Sequence, residues 1–542
     1  MTQLTGGEAI VQSLLAHGVD TLFGLPGVQN DWLYNALYDA GNRIRVIHTR
    51  HEQGAAYMAL GYALASGKVG VFNIVPGPGF LNAAAALVTA YGLNAPLLCL
   101  VGQIPTAKIG KGEGQLHEIN DQLAIMRTMT KWAEQVTSPA QAPEMVAEAF
   151  YQLHSGRPRP VGLEVPMDVL MRRAEVDTEV EPRAPYRPPL DVAQLDRTAK
   201  VLAGAKRPLI YVGGGAVNVS REITQLAEHL QAPVVGYRTG KGIVDGRSHL
   251  SIQLTPSHEL WKTTDAVLFV GSHGRVQFGG WGVDDQMTLI KIDVDPTTHN
   301  LFHKPDISIT ARAEEAIPYL LRQVQTLTPA KPSRRDELLA LQAEWEERTT
   351  FLEPQKSYLR LIRDALGEDG IFVDELTQVG FASRILYPAY KPRTYITTGY
   401  MGTLGYGFPT ALGVKVAQPD KRVVAIAGDG GFMFSVQELA TAVQHRIGLV
   451  TIIFNNNQYG NVQQMQKHNY GGRVIATDLH NPDFVELARV FGANGYRAET
   501  LGELTAALEK GFASDLPTLI EVPIGDVPSV DVFRKLPKVR GN

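Results

Sequence analysis

"VVAIAGDGGFMFSVQELATAVQHRIGLVTIIFNNNQYG", Val423 to Gly460, contains two apolar runs that each end in polar groups. Val423–Ala427 and Leu449–Phe454 are short, rich in Val and Ile, and bounded by glycine or asparagine, so both read as buried strands. Between them, Ser435 to Arg446 places Val436, Leu439, Ala440 and Val443 on one helical face. If the two strands are neighbours, the right-handed crossover of this βαβ unit puts their carboxyl ends at the same sheet edge. Asp429 and Asn456, 27 positions apart, then lie close together. Gly428, Gly430 and Gly431 allow a ligand to approach the backbone, and a helix start beyond such a strand attracts phosphate. A carboxylate, a carboxamide and main-chain oxygen form a hard donor set suited to Mg²⁺ or Ca²⁺, with phosphate oxygens completing the shell. A lone Gly-Asp-Gly is more often a turn. Strand, Gly-Asp-Gly, helix, strand and Asn-Asn together point to a diphosphate–metal site.

The same alternation of strands and helices runs through the whole chain. "TLFGLPG", "VGVFNIVPGPG" and "PLLCLVGQ" occur in the first third. "PLIYVGGGA", "AVLFVGS" and "TLIKIDVDP" occur in the middle, and "IFVDE" and "TLIEVP" in the last. Such alternation predicts parallel sheets covered on both faces. Two segments rich in proline and charge, Arg172 to Leu190 and Thr326 to Arg335, read as linkers. The expected organisation is three doubly wound α/β domains, over 1–175, 190–328 and 350–542. The first and third have similar layouts.

The chain has 542 residues, with 44% hydrophobic and 20% charged residues and a formal net charge of −4. These values are ordinary for a globular protein and argue against nucleic acid or an anionic membrane as main partner. Cys99 is the only cysteine, which excludes an internal disulfide and a cysteine zinc site. The start lacks the basic and apolar regions of a secretory signal, and no apolar run is long enough to span a bilayer. The expected compartment is the cytoplasm.

The Gly-Asp-Gly to Asn-Asn stretch resembles the cofactor motif of the thiamin diphosphate-dependent decarboxylases and carboligases. By that resemblance Asp429 and Asn456 hold Mg²⁺ through their side chains and Gln458 through its backbone carbonyl. The family also implies a glutamate near residue 50 that meets the cofactor's aminopyrimidine ring. Glu52, in His48-Thr-Arg-His-Glu-Gln-Gly, stands there; without the downstream motif it reads as a solvated carboxylate. Such a carboxylate favours the imino tautomer, which makes the cofactor its own internal base. The neighbouring His51 reads as structural as readily as functional.

Thr398-Gly-Tyr-Met-Gly-Thr-Leu-Gly resembles the loop that bends the cofactor, with Leu404 as the apolar wedge and the backbone of Gly402 and Leu404 on the pyrimidine. Pro76-Gly-Pro-Gly-Phe-Leu-Asn82 resembles another cofactor-facing loop, so Pro76 and Asn82 are candidates. Thr377 and Gln378 are candidate phosphate contacts. In the family the glutamate and the metal site come from different subunits, which implies a homodimer or homotetramer with sites at the interface.

"FGLPG" (23–27), "GQIPTAKIG" (102–110) and "NNNQYGNVQQMQ" (455–466) resemble acetolactate synthase large subunits. Those enzymes decarboxylate a 2-oxoacid such as pyruvate and add the cofactor-bound enamine to a second carbonyl compound. Three positions depart from that pattern. Leu25 replaces a tyrosine, Met465 a tryptophan that shapes the acceptor pocket, and Met167 a lysine. Met for Trp widens and softens a pocket. Gln115-Leu-His-Glu places His117 or Gln115 by the reacting centre, with His117 as a proton-transfer candidate. These departures keep open a decarboxylase that releases an aldehyde. The central segment resembles a domain that often carries FAD, although the residues around Arg275 depart from the flavin pattern, so ADP or no ligand there stays open. A nicotinamide dehydrogenase is disfavoured, because no Gly-x-Gly-x-x-Gly follows the first strand with an acid about 20 residues later. A non-catalytic relative is disfavoured because Glu52, Asp429 and Asn456 are all present.

Overall fold

The computed structural model describes residues 1–541. Three six-stranded sheets follow one another along the chain, and every pairing within them is parallel. Their central strands are almost wholly buried, with Gly428 and Asn455 at the third sheet's carboxyl edge partly exposed, as expected where helices cover both faces of a parallel sheet. The first sheet runs Arg45–His48, Thr21–Gly24, Gly70–Ile74, Leu97–Gln103, Val161–Pro166, Trp132–Gln135. The third runs Tyr395–Ile396, Ile371–Val373, Val423–Gly428, Val450–Asn455, Thr518–Pro523, Asn494–Arg497. Numbered within each domain, both have the order second, first, third, fourth, sixth, fifth. The similar layouts seen in the sequence are therefore one topology used twice. The middle sheet, built around Pro208–Val212 and Ala266–Val270, has the order third, second, first, fourth, fifth, sixth.

The unit quoted first folds as a βαβ. Val423–Gly428 pairs with Val450–Asn455, with Gly428 opposite Phe454. Its helix is shorter than expected. Asp429–Met433 forms a helical turn of its own, and the longer helix runs only Glu438–Gln444. The chain needs residues 434–437 to redirect itself after the Gly-Asp-Gly turn. The first expected linker also begins later than Arg172, because Arg173–Val176 pairs antiparallel with Thr2–Thr5.

Helices Glu52–Ser66 and Gly407–Ala417 join the first and third domains. Both are composed largely of small and apolar residues and are buried on nearly every side, as a helix apolar all round must be. They cross where each contributes a glycine. A Cβ on Gly61 would strike the Thr410 carbonyl, and one on Gly413 the Met58 carbonyl. One continuous apolar cluster therefore contains Phe23, Tyr57 and Phe72 together with Tyr406, Ala425 and Ile453.

The last described residues return to the middle domain. After Thr518–Pro523 the chain passes helix Gly460–Asn469, where Gln464 Nε2 donates to the Val527 carbonyl at 3.3 Å. Phe533 stacks edge-on against Trp345, ring centres 4.7 Å apart. Arg540 then plugs into the middle domain. Its guanidinium donates to the carbonyls of Trp261 at 2.7 Å and Thr264 at 2.6 Å, and pairs with Asp284 at 2.8 Å. Among the described residues no helix is long and apolar enough to cross a membrane.

Candidate functional site

In an open parallel sheet, ligands bind beyond the carboxyl ends of the strands, and the candidate residues lie there. Leu25 follows Thr21–Gly24, Glu52 follows Arg45–His48 and Pro76 follows Gly70–Ile74. In the third domain Thr377 and Gln378 follow Ile371–Val373. Gly402 and Leu404 follow Tyr395–Ile396, Asp429 follows Val423–Gly428, and Asn456 and Gln458 follow Val450–Asn455.

The strand register brings Asp429 beside Asn455 and Asn456. Asp429 is buried, and desolvation raises its carboxyl above the usual carboxylate range; the Asn481 amide and nearby backbone N–H groups oppose that shift. Asn481 Nδ2 donates to Asp429 Oδ2 at 2.7 Å and to Asn457 Oδ1 at 3.1 Å. The Asn456 carboxamide is half-buried and lies against Gly460, where a Cβ would sit 2.9 Å from its Nδ2. The Gln458 carbonyl accepts from Gly460 N–H at 2.9 Å and keeps a second lone pair. Its side chain instead reaches Asp526, at 3.2 Å.

No group of three or more His, Cys, Asp or Glu side chains that could hold a metal ion occurs among the described residues. The local donor set is one carboxylate plus amide and carbonyl oxygens. That suits a hard cation that takes its remaining ligands from a bound diphosphate and water. Thr377 caps helix Gln378–Leu386, its Oγ1 accepting Gly380 N–H at 2.8 Å, and its methyl lies 3.4 Å from where a Gly428 Cβ would be. Gln378 reaches the helix Gly460–Asn469 that follows the Asn456–Gln458 turn, Nε2 donating to Gln464 Oε1 at 3.0 Å, while its buried Oε1 has no hydrogen-bond partner.

Glu52 opens its helix and is 8% exposed. Asn82 Nδ2 donates to Glu52 Oε2 at 3.0 Å, and Oε1 stands 3.1 Å from where a Gly79 Cβ would be. Asn82 thus orients the glutamate. His51 caps the same helix, Nδ1 accepting Gln53 N–H at 3.2 Å, a structural role.

The loop carrying Gln115 and His117 closes over Pro76-Gly77. A Cβ on Gly77, itself at φ 57°, would strike the His117 carbonyl. His117 is also left-handed, φ 67°, and its Nδ1 lies 3.1 Å from Gln29 Oε1. Gln29 Nε2 holds the Leu116 carbonyl at 2.9 Å. Gln115 contributes its backbone N–H to Glu118 at 2.9 Å. Leu25 is fixed by its backbone, N–H to the Asn73 carbonyl and C=O from Asn30, both at 3.1 Å.

Two buried acids were missed in the sequence. Glu438 belongs to the third domain, yet its Oε2 accepts Arg50 N–H at 3.1 Å, two residues before Glu52, and Thr441 Oγ1 at 2.6 Å. It rests against Gly54, where only a glycine leaves room, and burial raises its carboxyl above the ordinary range. Glu375 is 1% exposed and accepts Gly405 N–H at 2.8 Å. Burial pushes its carboxyl up to about 8, against the lowering effect of the amides of Gly405, Gly407 and Tyr406. An acidic pair, Asp374-Glu375, ending an apolar strand was the available signal.

From the ordinary value of 4.5 up to about 8, the folded chain holds a proton on Glu375 that the unfolded chain has released. Stability from this group therefore falls as pH rises through that window. The stability of Glu375→Gln minus that of wild type is expected to grow from pH 4.5 to about 8 and then level, read as urea midpoints.

The residues fit thiamin diphosphate. Gly402, at φ 62°, has nothing nearer to a Cβ than Leu376 at 3.8 Å, so its backbone is open to a ligand. Glycines also line the turn at Asp429. The middle domain fits FAD less well. At its topological switch point the Gly213–Gly215 and Gly271 backbones touch, so that a Cβ on Gly215 would lie 2.8 Å from Gly271 Cα. Arg157 fills the adjoining space, paired with Asp295 at 3.1 Å and hydrogen-bonded to His273 at 2.7 Å.

Three family models match the chain. They are the N-terminal thiamine pyrophosphate-binding domain over residues 4–125, the central domain over 195–320 and the C-terminal thiamine pyrophosphate-binding domain over 376–522. The chain belongs to the thiamine pyrophosphate enzymes. Among curated relatives, a probable 2-ketoarginine decarboxylase of Pseudomonas aeruginosa is 35% identical over 536 residues, covering 96% of this chain and 94% of that protein. An acetolactate synthase of Arthrospira platensis is 32% identical, covering 96% and 94%. The acetolactate synthase isozyme 3 large subunit of Escherichia coli is 31% identical, covering 94% and 93%.

Proposed function

We propose that this enzyme decarboxylates a 2-oxoacid such as pyruvate with thiamin diphosphate and Mg²⁺, and joins the product fragment to a carbonyl acceptor as acetolactate synthases do. The observation that carries the cofactor reading is the placement of Asp429 and Asn456 at the carboxyl ends of two paired strands. When bound, thiamin diphosphate supplies a nucleophilic carbon and an electron sink for the departing carboxylate.

The chain's own residues then have defined tasks. Asp429, Asn456 and the Gln458 carbonyl would hold the metal, with the backbone from Gly428 to Gly431 facing the diphosphate. Gly402 and Leu404 would present backbone to the pyrimidine, with the Leu404 side chain as an apolar wedge against the bound cofactor. Glu52, oriented by Asn82, holds a proton at the pyrimidine nitrogen. With His117 Nδ1 engaged by Gln29, Nε2 is the atom that accepts or returns a proton at the substrate.

A homodimer or homotetramer completes each site, with Glu52 and the metal site donated by different chains. Apolar side chains left exposed beside both halves support this. Val28 is 55% and Leu116 61% exposed near the glutamate, and Phe434 48% and Met465 49% near the metal turn. The touching glycine loops of the middle domain leave FAD out of the proposal.

A second reading, release of a free aldehyde without ligation, is favoured by Met465 and Met167 standing where the synthase pattern has tryptophan and lysine, and by the similarity to the 2-ketoarginine decarboxylase. One assay tests both. CO₂ release from a panel of 2-oxoacids is expected to require both thiamin diphosphate and Mg²⁺. With pyruvate, acetolactate or acetoin as product supports ligation, and free acetaldehyde supports the second reading. CO₂ release that is independent of the cofactor would defeat both.

A further inference from the structure

Glu375 has no task in the scheme above, yet it lies at the junction of the two loops that scheme uses. Its Oε1 accepts the Gly405 amide at 2.8 Å, and Oε2 has no hydrogen-bond partner although the amides of Tyr406 and Gly407 face the carboxyl. A Cβ on Gly407 would lie 2.6 Å from Oε2, and one on Gly431 3.0 Å from Oε1. The carboxyl therefore fills space that glycines in both loops leave open. Gly405 itself, at φ 76°, presses on the segment after Gly431, where its Cβ would meet the Phe434 Cβ at 2.5 Å.

Burying an acid with one oxygen unpartnered costs free energy. A leucine of similar size would fill the volume at lower cost. What the acid adds is a fixed acceptor for the Gly405 amide, one residue beyond Leu404.

We propose that Glu375 is a positioning residue that fixes the spacing between the Gly402–Gly407 loop and the Gly-Asp-Gly turn, and so between the backbone for the pyrimidine and the backbone for the diphosphate. This rests on the thiamin diphosphate reading. It assigns a role to a side chain that hydrogen-bonds none of Asp429, Asn456, Gln458 or Glu52. A spacing error at such a junction penalises only a ligand that spans both loops. Inorganic pyrophosphate, which occupies one end, is indifferent to it.

The test is equilibrium dialysis of thiamin diphosphate, and separately of inorganic pyrophosphate, with saturating Mg²⁺ against wild-type, Glu375→Gln and Glu375→Asp chains, with folding checked by circular dichroism. Glu375→Gln keeps the reach and the acceptor and is expected to bind both ligands within about threefold of wild type. Glu375→Asp shortens the arm and is expected to weaken thiamin diphosphate by about tenfold or more while pyrophosphate stays within about threefold, since ångström-scale misplacement carries penalties of that order. Equal weakening of both ligands by Glu375→Asp, or none, overturns the positioning role. So does a loss of about tenfold or more in Glu375→Gln, which keeps the test decisive should Glu375→Asp not fold. A wild-type chain that binds no thiamin diphosphate overturns the cofactor reading itself.

Discussion

Glu52→Gln chains and Asp429→Ala chains, each nearly inactive alone, are expected to recover about a quarter of wild-type turnover when mixed and reassociated, because half the random pairs are hybrids and each hybrid has one intact site of two. The expectation comes from how one chain distributes its groups. Within a chain Glu52 contacts Gly79 and Asn82, and Asp429 contacts Asn481. If each catalytic centre combines Glu52 of one chain with Asp429 of another, a hybrid concentrates both defects in one site and leaves the other whole. Alone, Glu52→Gln should lose roughly 10²–10⁴ in turnover, the range for a positioned acid or base. Glutamine preserves the hydrogen bond to Asn82 and the helix start, so the loss is chemical. Mixed variants that stay inactive after demonstrated chain exchange would show that both halves of a site belong to one chain.

The second large effect is expected at the metal turn. Asp429→Ala should abolish saturable binding of thiamin diphosphate in Mg²⁺, a loss of about 100-fold or more, while the chain stays folded. Asp429 is the one carboxylate in a donor set otherwise made of amides and carbonyls, and Mg²⁺ is held by one or two carboxylates plus substrate phosphates. Folding should survive because Asp429 is held by an amide from Asn481 and by backbone rather than by an ion pair. Deleting it removes a desolvated charge and so relieves a burial cost. Calorimetric titration reads the loss. Unaltered affinity would move the metal elsewhere.

The alternation of apolar runs and helical periods was enough to read three α/β domains, because fully buried parallel strands have little freedom in composition. The pair Asp429 and Asn456 was legible for the same reason, since two adjacent parallel strands fix where their ends lie. What the sequence hid was long-range and non-periodic. Asn481 reaches Asp429 from a segment with no strand or helix signal. Glu438 reads as an ordinary helix residue, and nothing local shows that Arg50, 388 positions earlier, donates to it. Asn82, a candidate at the cofactor, bonds the glutamate, a pairing the sequence does not show. Gln378, a candidate phosphate contact, also bonds Gln464, a partner that no local pattern shows. A long side chain at a strand end has several partners in reach, and packing decides among them.

The returning tail has a consequence for how the molecule comes apart. Arg540 is bolted into the middle domain, while Asp526 and Val527 on the same short span hold Gln458 and Gln464. The middle sheet, which gives neither half-site a residue, is thereby tied to the helix beside the metal turn. With a cation held at that turn, as proposed, local melting of that sheet would slacken the span and loosen the ion's surroundings, coupling the two regions. Heat or denaturant should then strip the ion and unfold the remote domain in a single transition rather than in sequence.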